Sequence, residues 1–280
     1  MISKNPMQFK SRIKAYAQEK QISPQLVLQD YMLERLLERI SLSPYRNNFI
    51  LKGGFLISAI VGLGTRSTMD LDTTLKGFPL NHESIEAVFK SICSIKVQDN
   101  VCFEMLNIHD IRKEDDYPGI RVSLYAKYPP ISVPLTVDIT TGDEITPKEI
   151  EFSVPTLFDN KRINVLAYNL ETVLSEKIET ILSRGIANTR LRDFYDIYVI
   201  CKMRESELNH NVLRQALTKT ARKRGSEMDV IHYQERLKAI FESQTLRALW
   251  AKYSREHEYA NSIPFDQVCS TLETIMKSIV

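Results

Sequence analysis

Ser67-Thr68-Met69-Asp70-Leu71-Asp72-Thr73-Thr74-Leu75 is a short, apolar-alternating stretch that carries two aspartates one residue apart. An extended strand projects side chains two apart to the same face, so this spacing aims both carboxylates at one point. Like charges held that close repel unless a cation neutralises them, and carboxylate oxygens are ligands that Mg²⁺ accepts. Upstream, Lys52-Gly53-Gly54 stands between a strand-like Phe49-Ile50-Leu51 and a helix-like Phe55-Leu56-Ile57-Ser58-Ala59-Ile60-Val61. Paired glycines permit close backbone approach, and a helix N-terminus is a natural phosphate seat. Acids for magnesium beside a phosphate cradle point to a nucleotide-handling enzyme.

A third acid belongs with these two if the strands pair. Pro134-Leu135-Thr136-Val137-Asp138-Ile139 alternates and places one carboxylate in an otherwise apolar strand. Burying it unpartnered would cost roughly several kcal/mol. A metal shared with Asp70 and Asp72 would compensate Asp138, and carboxylates around one or two Mg²⁺ suit in-line transfer at phosphorus. The alternative is a strand end solvated beside Thr140-Thr141-Gly142.

The second half of the chain is helical in pattern. In Glu171 to Leu182, a turn of about 100° per residue puts Val173, Leu174, Ile178, Ile181 and Leu182 on one arc, with Lys177 inside it. Such a lysine either snorkels its ammonium to the helix edge or meets a nucleotide phosphate as a point charge. In Arg190 to Ile200, apolar residues cover most of the helix while Asp193 and Asp196, three apart, share what is left. Buried acids need partners: Lys177, Arg190 or a polar cleft, with a structural ion-pair network as the plainer explanation.

Composition sets the limits. A chain of 280 residues with 43% apolar content can bury a substantial core. No stretch approaches the roughly 20 apolar residues that span a bilayer, and Met1-Ile2-Ser3-Lys4-Asn5-Pro6 lacks an apolar leader, so a cytoplasmic protein is expected. Cys93, Cys102, Cys201 and Cys269 are scattered without CxxC pairing, which argues against zinc and against a disulfide framework. From Cys201 to Arg255 twelve Lys/Arg face six Asp/Glu, so this segment carries +6 and leaves −4 for the rest of a +2 chain. Concentrated basicity can neutralise the phosphates of a polymer, or simply solvate a helical surface.

Three stretches follow. Residues 1–47 form a helical preface, with Ser23-Pro24 as N-cap and first turn of a helix striped by Val27, Tyr31, Leu33, Leu36, Leu37 and Ile40. Residues 48–165 form a mixed α/β domain, with strands at Phe49–Leu51, Asp70–Leu75, Val101–Ile108, Ile120–Tyr125 and Leu135–Ile139 and a helix near His82–Ile95. Residues 166–280 read as helical to the end.

Four motifs in order, Leu51-Lys52-Gly53-Gly54, Arg66-Ser67-Thr68-Met69-Asp70-Leu71-Asp72, Glu171 to Ile178 and Arg190-Leu191-Arg192-Asp193-Phe194-Tyr195-Asp196, resemble the AbiEii/AbiGii toxin family of nucleotidyltransferases. The resemblance covers about residues 48–201. It implies the α+β fold of the DNA polymerase β-like nucleotidyltransferase superfamily: a mixed sheet with flanking helices, followed by an all-helical C-terminal region. It implies the toxin half of a bacterial toxin–antitoxin or phage-defence (abortive infection) pair, acting with Mg²⁺ on an NTP and an RNA acceptor, in some relatives the tRNA 3′ end. It also implies a cognate antitoxin, whether or not the two proteins bind, and no membrane.

Position by position, Asp70 and Asp72 match the metal-binding pair, with Asp138 as third ligand and helper in deprotonating the attacking hydroxyl. Gly53 and Gly54 match the phosphate loop, and Lys177 the lysine of the downstream motif, bonding phosphate oxygens. Lys52, Ser67, Thr68, Arg190, Asp193 and Asp196 complete the expected nucleotide-binding set. Phe55 departs from the family pattern, which has a small polar residue there, so a phosphate-binding hydroxyl must come from Ser58, Ser67 or Thr68. Two rival functions use the same residues: nucleotidyl transfer to a small molecule such as an antibiotic, and nucleotide or RNA binding without catalysis.

Overall fold

The computed structural model describes residues 5–111 and 119–280. Met1–Lys4, part of the stretch inspected for a leader, lie outside the described residues. The chain divides into two compact units, one taking in the chain to Asp143 together with Ile150–Ala167, the other Glu144–Glu149 with Tyr168–Val280.

The first unit opens with helices α1 (Pro6–Lys20) and α2 (Pro24–Leu42). Asn5 and Ser23 cap them by accepting from the Met7 and Leu26 amides, each followed by a proline in the first turn, where no amide is missed. A seven-stranded mixed sheet follows: β1 (Phe49–Lys52), β2 (Leu71–Leu75), β3 (Cys102–Ile111), β4 (Gly119–Tyr128), β5 (Ile131–Thr141), β6 (Ile150–Pro155) and β7 (Arg162–Ala167). Their order across the sheet is β3-β4-β5-β2-β1-β7-β6. Helix α3 (Gly53–Val61) leaves the end of β1, and α4 (His82–Ser94) precedes β3. β1 pairs antiparallel with β2 and parallel with β7, while β2 pairs parallel with β5.

Alternation decides which face of the sheet is dry. In β4, Ile120, Val122, Leu124, Ala126 and Tyr128 are buried; in β5, Val133, Leu135, Val137 and Ile139 are. Arg121, Ser123, Tyr125, Pro134, Thr136 and Asp138 lie on the opposite, more open face. Helix α2 packs against β5 and β7 and carries an unusual load of buried polar groups. Arg39 grips Asp99 through both guanidinium nitrogens at 2.7 and 2.9 Å and donates to the Val101 carbonyl, while Gln29 donates to the Met69 and Pro134 carbonyls. Asp30 and Glu34 sit in the same helix, and burial pushes their carboxyls up to about 8 and about 7.

The second unit is built from α5 (Leu170–Arg184), α6 (Leu191–Arg204), α7 (His210–Arg224), α8 (Glu227–Ile231), α9 (Tyr233–Glu242), α10 (Gln244–Glu256) and α11 (Phe265–Ile279). Its core holds Phe194, Tyr195, Trp250, Phe265 and the apolar seam of α11. The mixed sheet with flanking helices and the helical C-terminal region are those expected from the sequence. Two elements were missed: β6 and β7 form a hairpin that sequence analysis left as loop. The expected strand Asp70–Leu75 starts one residue later, because Asp70 sits in the bend before β2. Among the described residues no helix is long and apolar enough to cross a membrane.

Candidate active site

β1 and β2 carry the centre of the site. Antiparallel pairing sets Lys52 opposite Asp72, and parallel pairing sets Asp72 beside Asp138. Antiparallel pairing of β5 with β4 sets Asp138 opposite Arg121, and β4 with β3 sets Arg121 opposite His109. Register partners share a face, so a single line of polar side chains runs His109, Arg121, Asp138, Asp72, Lys52 across five strands. Strand separation is about 4.8 Å, which keeps each charge within reach of the next.

Gly53 and Gly54 open α3 directly against Asp72. Gly53 has φ +64°, and a Cβ there would overlap the Asp72 carboxylate. A Cβ on Gly54 would stand 2.6 Å from Thr68 Oγ1. The Gly54 amide donates to Asp72 Oδ2 at 3.3 Å, so the helix N-terminus receives a carboxylate of the chain itself. The glycine pair is thus required by the close approach of β2 and its leading bend. Thr68 is buried and donates its hydroxyl to Asp70 Oδ1 at 2.7 Å, which orients the first acid of the pair. Arg66 is buried and donates to the Ser67 carbonyl, holding the bend.

Electrostatics single out Asp72. Burial, then the neighbouring Asp70 charge, raise its carboxyl above the usual range, with Asp138 adding to the push and Lys52 opposing it. Asp70, Asp72 and Asp138 therefore share one electrostatic environment with an excess of negative charge. That donor set fits a hard divalent cation: the oxygens are of the right type, and a cation would relieve their repulsion. Among the described residues, no three His, Cys, Asp or Glu side chains stand together at metal-ligand spacing. Asp138 is instead held by Arg121, which clamps it: Nε donates to Oδ1 and Nη2 to Oδ2, both at 2.6 Å. The partner that sequence analysis sought for Asp138 in a metal is, in this structure, a guanidinium.

Lys52 is placed differently from its expected role. Only 8% exposed, its ammonium donates to Thr140 Oγ1 at 2.6 Å and Asp143 Oδ2 at 2.5 Å. Thr74 and Thr140 also donate to Asp143. Burial pushes the Asp143 carboxyl up, but Lys52 and these donors outweigh it and hold it well below the usual carboxylate range. Lys52 and Asp143 thus tie β1, β2 and the end of β5 together beside the acids. Sequence analysis missed Asp143 and Arg121: one follows a glycine in what reads as a loop, the other occupies an ordinary solvent-facing strand position.

The remaining expected residues lie in the helical unit. Lys177 reaches Asp193 Oδ1 at 2.8 Å and Asp196 Oδ2 at 2.7 Å. Arg190 Nε stands 3.0 Å from Asp193 Oδ2, an ionic contact without hydrogen-bond alignment. Burial alone would lower the Lys177 ammonium; Asp196 and Asp193 more than offset it and leave it raised. Asp193 and Asp196 thus have the ion-pair partners that burial calls for. In the basic segment, Arg204, Lys219, Arg224, Arg236, Arg247 and Lys252 each meet a carboxylate of the same unit.

Two solved structures resemble the chain. One is described as a nucleotidyltransferase from H. pylori, at 17% identity and TM-score 0.48, covering 92% of this chain and 97% of its own. The other is JHP933 from Helicobacter pylori, at 17% identity and TM-score 0.47, with 92% and 94% covered. A comparison with curated proteins finds no match. Residues 35–271 match the family described as "Nucleotidyl transferase AbiEii toxin, Type IV TA system". That span takes in the acids, the glycine pair and the Lys177 cluster, and the chain belongs to the AbiEii nucleotidyltransferase toxin family of type IV toxin–antitoxin systems.

Proposed function

We propose that the chain transfers a nucleotidyl group from an NTP to an RNA hydroxyl, the 3′ end of tRNA, and so halts translation and growth until its antitoxin counters it. The observation that carries this is the Asp72–Asp138 register pair, with Asp70 at the head of β2 and the Gly53–Gly54 turn against it. The +6 segment of the helical unit supports a polyanionic acceptor.

In this proposal Asp70, Asp72 and Asp138 would hold Mg²⁺, which would supply charge neutralisation for the phosphates. The α3 N-terminus attracts phosphate oxygens. Asp138 accepts the proton of the attacking hydroxyl as its oxygen bonds to the α-phosphorus and the bond to the β-phosphate oxygen breaks, releasing pyrophosphate. Lys177 keeps the phosphate-binding role its motif carries, charged and oriented by Asp193 and Asp196. Chemistry of this kind asks little covalent work of the protein and much electrostatic positioning.

The test incubates purified protein with each α-³²P-labelled NTP, Mg²⁺ and total tRNA, and reads label on a gel. Label on tRNA that is lost in Asp70→Ala and Asp72→Ala is expected, together with loss of growth arrest. Pyrophosphate release with small acceptors alone, or undiminished toxicity of both variants, overturns it.

A further inference from the structure

The two cations that flank the acids are held in different ways. Lys52 is buried and fixed by Asp143 and Thr140. Arg121 has a side chain 37% exposed, against 15% for Asp138, and its pairing with Asp138 is a bidentate fork. A fork of this geometry engages both carboxylate oxygens and sets a positive charge against them, where a metal ion would bind. Arg121 also feels the charges of Asp70 and Asp72, so it serves as counter-ion to the whole acidic group. Its long, half-exposed stem lets the guanidinium swing into water without opening the core.

We propose that Arg121 is a built-in counter-ion that a divalent cation must displace from Asp138, so that metal loading and Arg121 release are a single event. This rests on the assignment of Asp70, Asp72 and Asp138 to the cation. It adds a positioning residue that sets when Asp138 becomes available. With Arg121 engaged, Asp70 and Asp72 are the only members of the triad whose oxygens can receive the ion. With it released, all three can, and a mobile guanidinium is left on the open face of the sheet, beside Ser123 and Tyr125.

The test titrates the full-length protein with Mn²⁺ in the absence of nucleotide, reading free Mn²⁺ by electron paramagnetic resonance. Arg121→Ala should bind Mn²⁺ roughly fivefold more tightly than the parent, the scale of one well-formed, partly exposed ion pair. Arg121→Lys, which keeps the charge but loses the fork, should gain less. Mg²⁺ should raise the thermal midpoint of Arg121→Ala more than that of the parent. Asp72→Ala separates the two assignments. Mn²⁺ bound by the parent, lost in Asp72→Ala and unchanged in both Arg121 variants overturns the counter-ion role and leaves the metal site standing. No Mn²⁺ binding by parent and Arg121 variants alike overturns both. Should the alanine variant fail to fold, the lysine variant is read by the same criteria.

Discussion

Gly53 exists for Asp72: the carboxylate of Asp72 fills the space that any side chain at position 53 would claim, and the backbone there is left-handed besides. Gly53→Ala therefore combines a disfavoured φ with a direct overlap. It should cost about 2 kcal/mol or more, through a shift of β2 against α3. Urea unfolding measures the loss, and label transfer should fall further than stability alone accounts for, because Asp72 is what moves.

Asp143 is the carboxylate that receives the buried Lys52 ammonium, at 2.5 Å. Replacing it by Asn removes the charge that balances a buried ammonium, at a cost of about 3 kcal/mol near neutral pH. The folded Asp143 carboxyl titrates below its unfolded value, so its contribution is present above the unfolded pKa and fades as pH falls from about 4. Unfolding curves of Asp143→Asn and parent should thus converge in acid. A deficit that stays constant down to the acid limit would contradict the ion pair.

Asp30 predicts the opposite slope. Burial, then the neighbouring Glu34, raise its carboxyl to about 8. A group raised on folding stabilises below its unfolded pKa, and that contribution is lost as pH rises through the folded value. Asp30→Asn should match the parent near pH 3 and exceed it by about 1 kcal/mol or more at pH 9. Thermal midpoints across that range give the comparison.

Lys177→Ala removes the cation shared by Asp193 and Asp196, both buried. The expected penalty is about 3 kcal/mol, and adding Asp196→Asn to the alanine variant should return part of it. A double-mutant cycle in urea checks this. Loss of toxicity in Lys177→Ala has to be weighed against that number before a phosphate-binding role is credited.

Much of the fold can be read from local chemistry. Asn5 and Ser23 with their following prolines mark α1 and α2, and the change from helical spacing to alternation marks β1, β2, β4 and β5. The hairpin of β6 and β7 escaped because Ile150–Pro155 is largely uncovered along one edge and ends on proline, which weakens its strand signature. Arg162–Ala167 does alternate, with Ile163, Val165 and Ala167 buried, so that signal was present and unused.

In the site, single-residue chemistry identified the acids and the inward lysine but not their partners. Helical spacing sufficed to bring Asp193 and Asp196 together, since three residues on a helix is a contact. Arg121 and Asp138 meet only through the register of β4 on β5, and Lys52 and Asp143 only through the pairing of β1, β2 and β5 that brings the end of β5 within reach of β1. Neither pairing has a local trace in the chain.

The line from His109 to Lys52 is assembled from five strands, and every member depends on how its strand is aligned with its neighbour. Sliding β5 by one position along β2 would turn Asp138 to the helix-covered side and bring Val137 or Ile139 out in its place. A misaligned copy of this protein therefore lacks the Asp72–Asp138 pair. For a member of a toxin family, the acidic group is thereby assembled only in molecules that have completed their sheet.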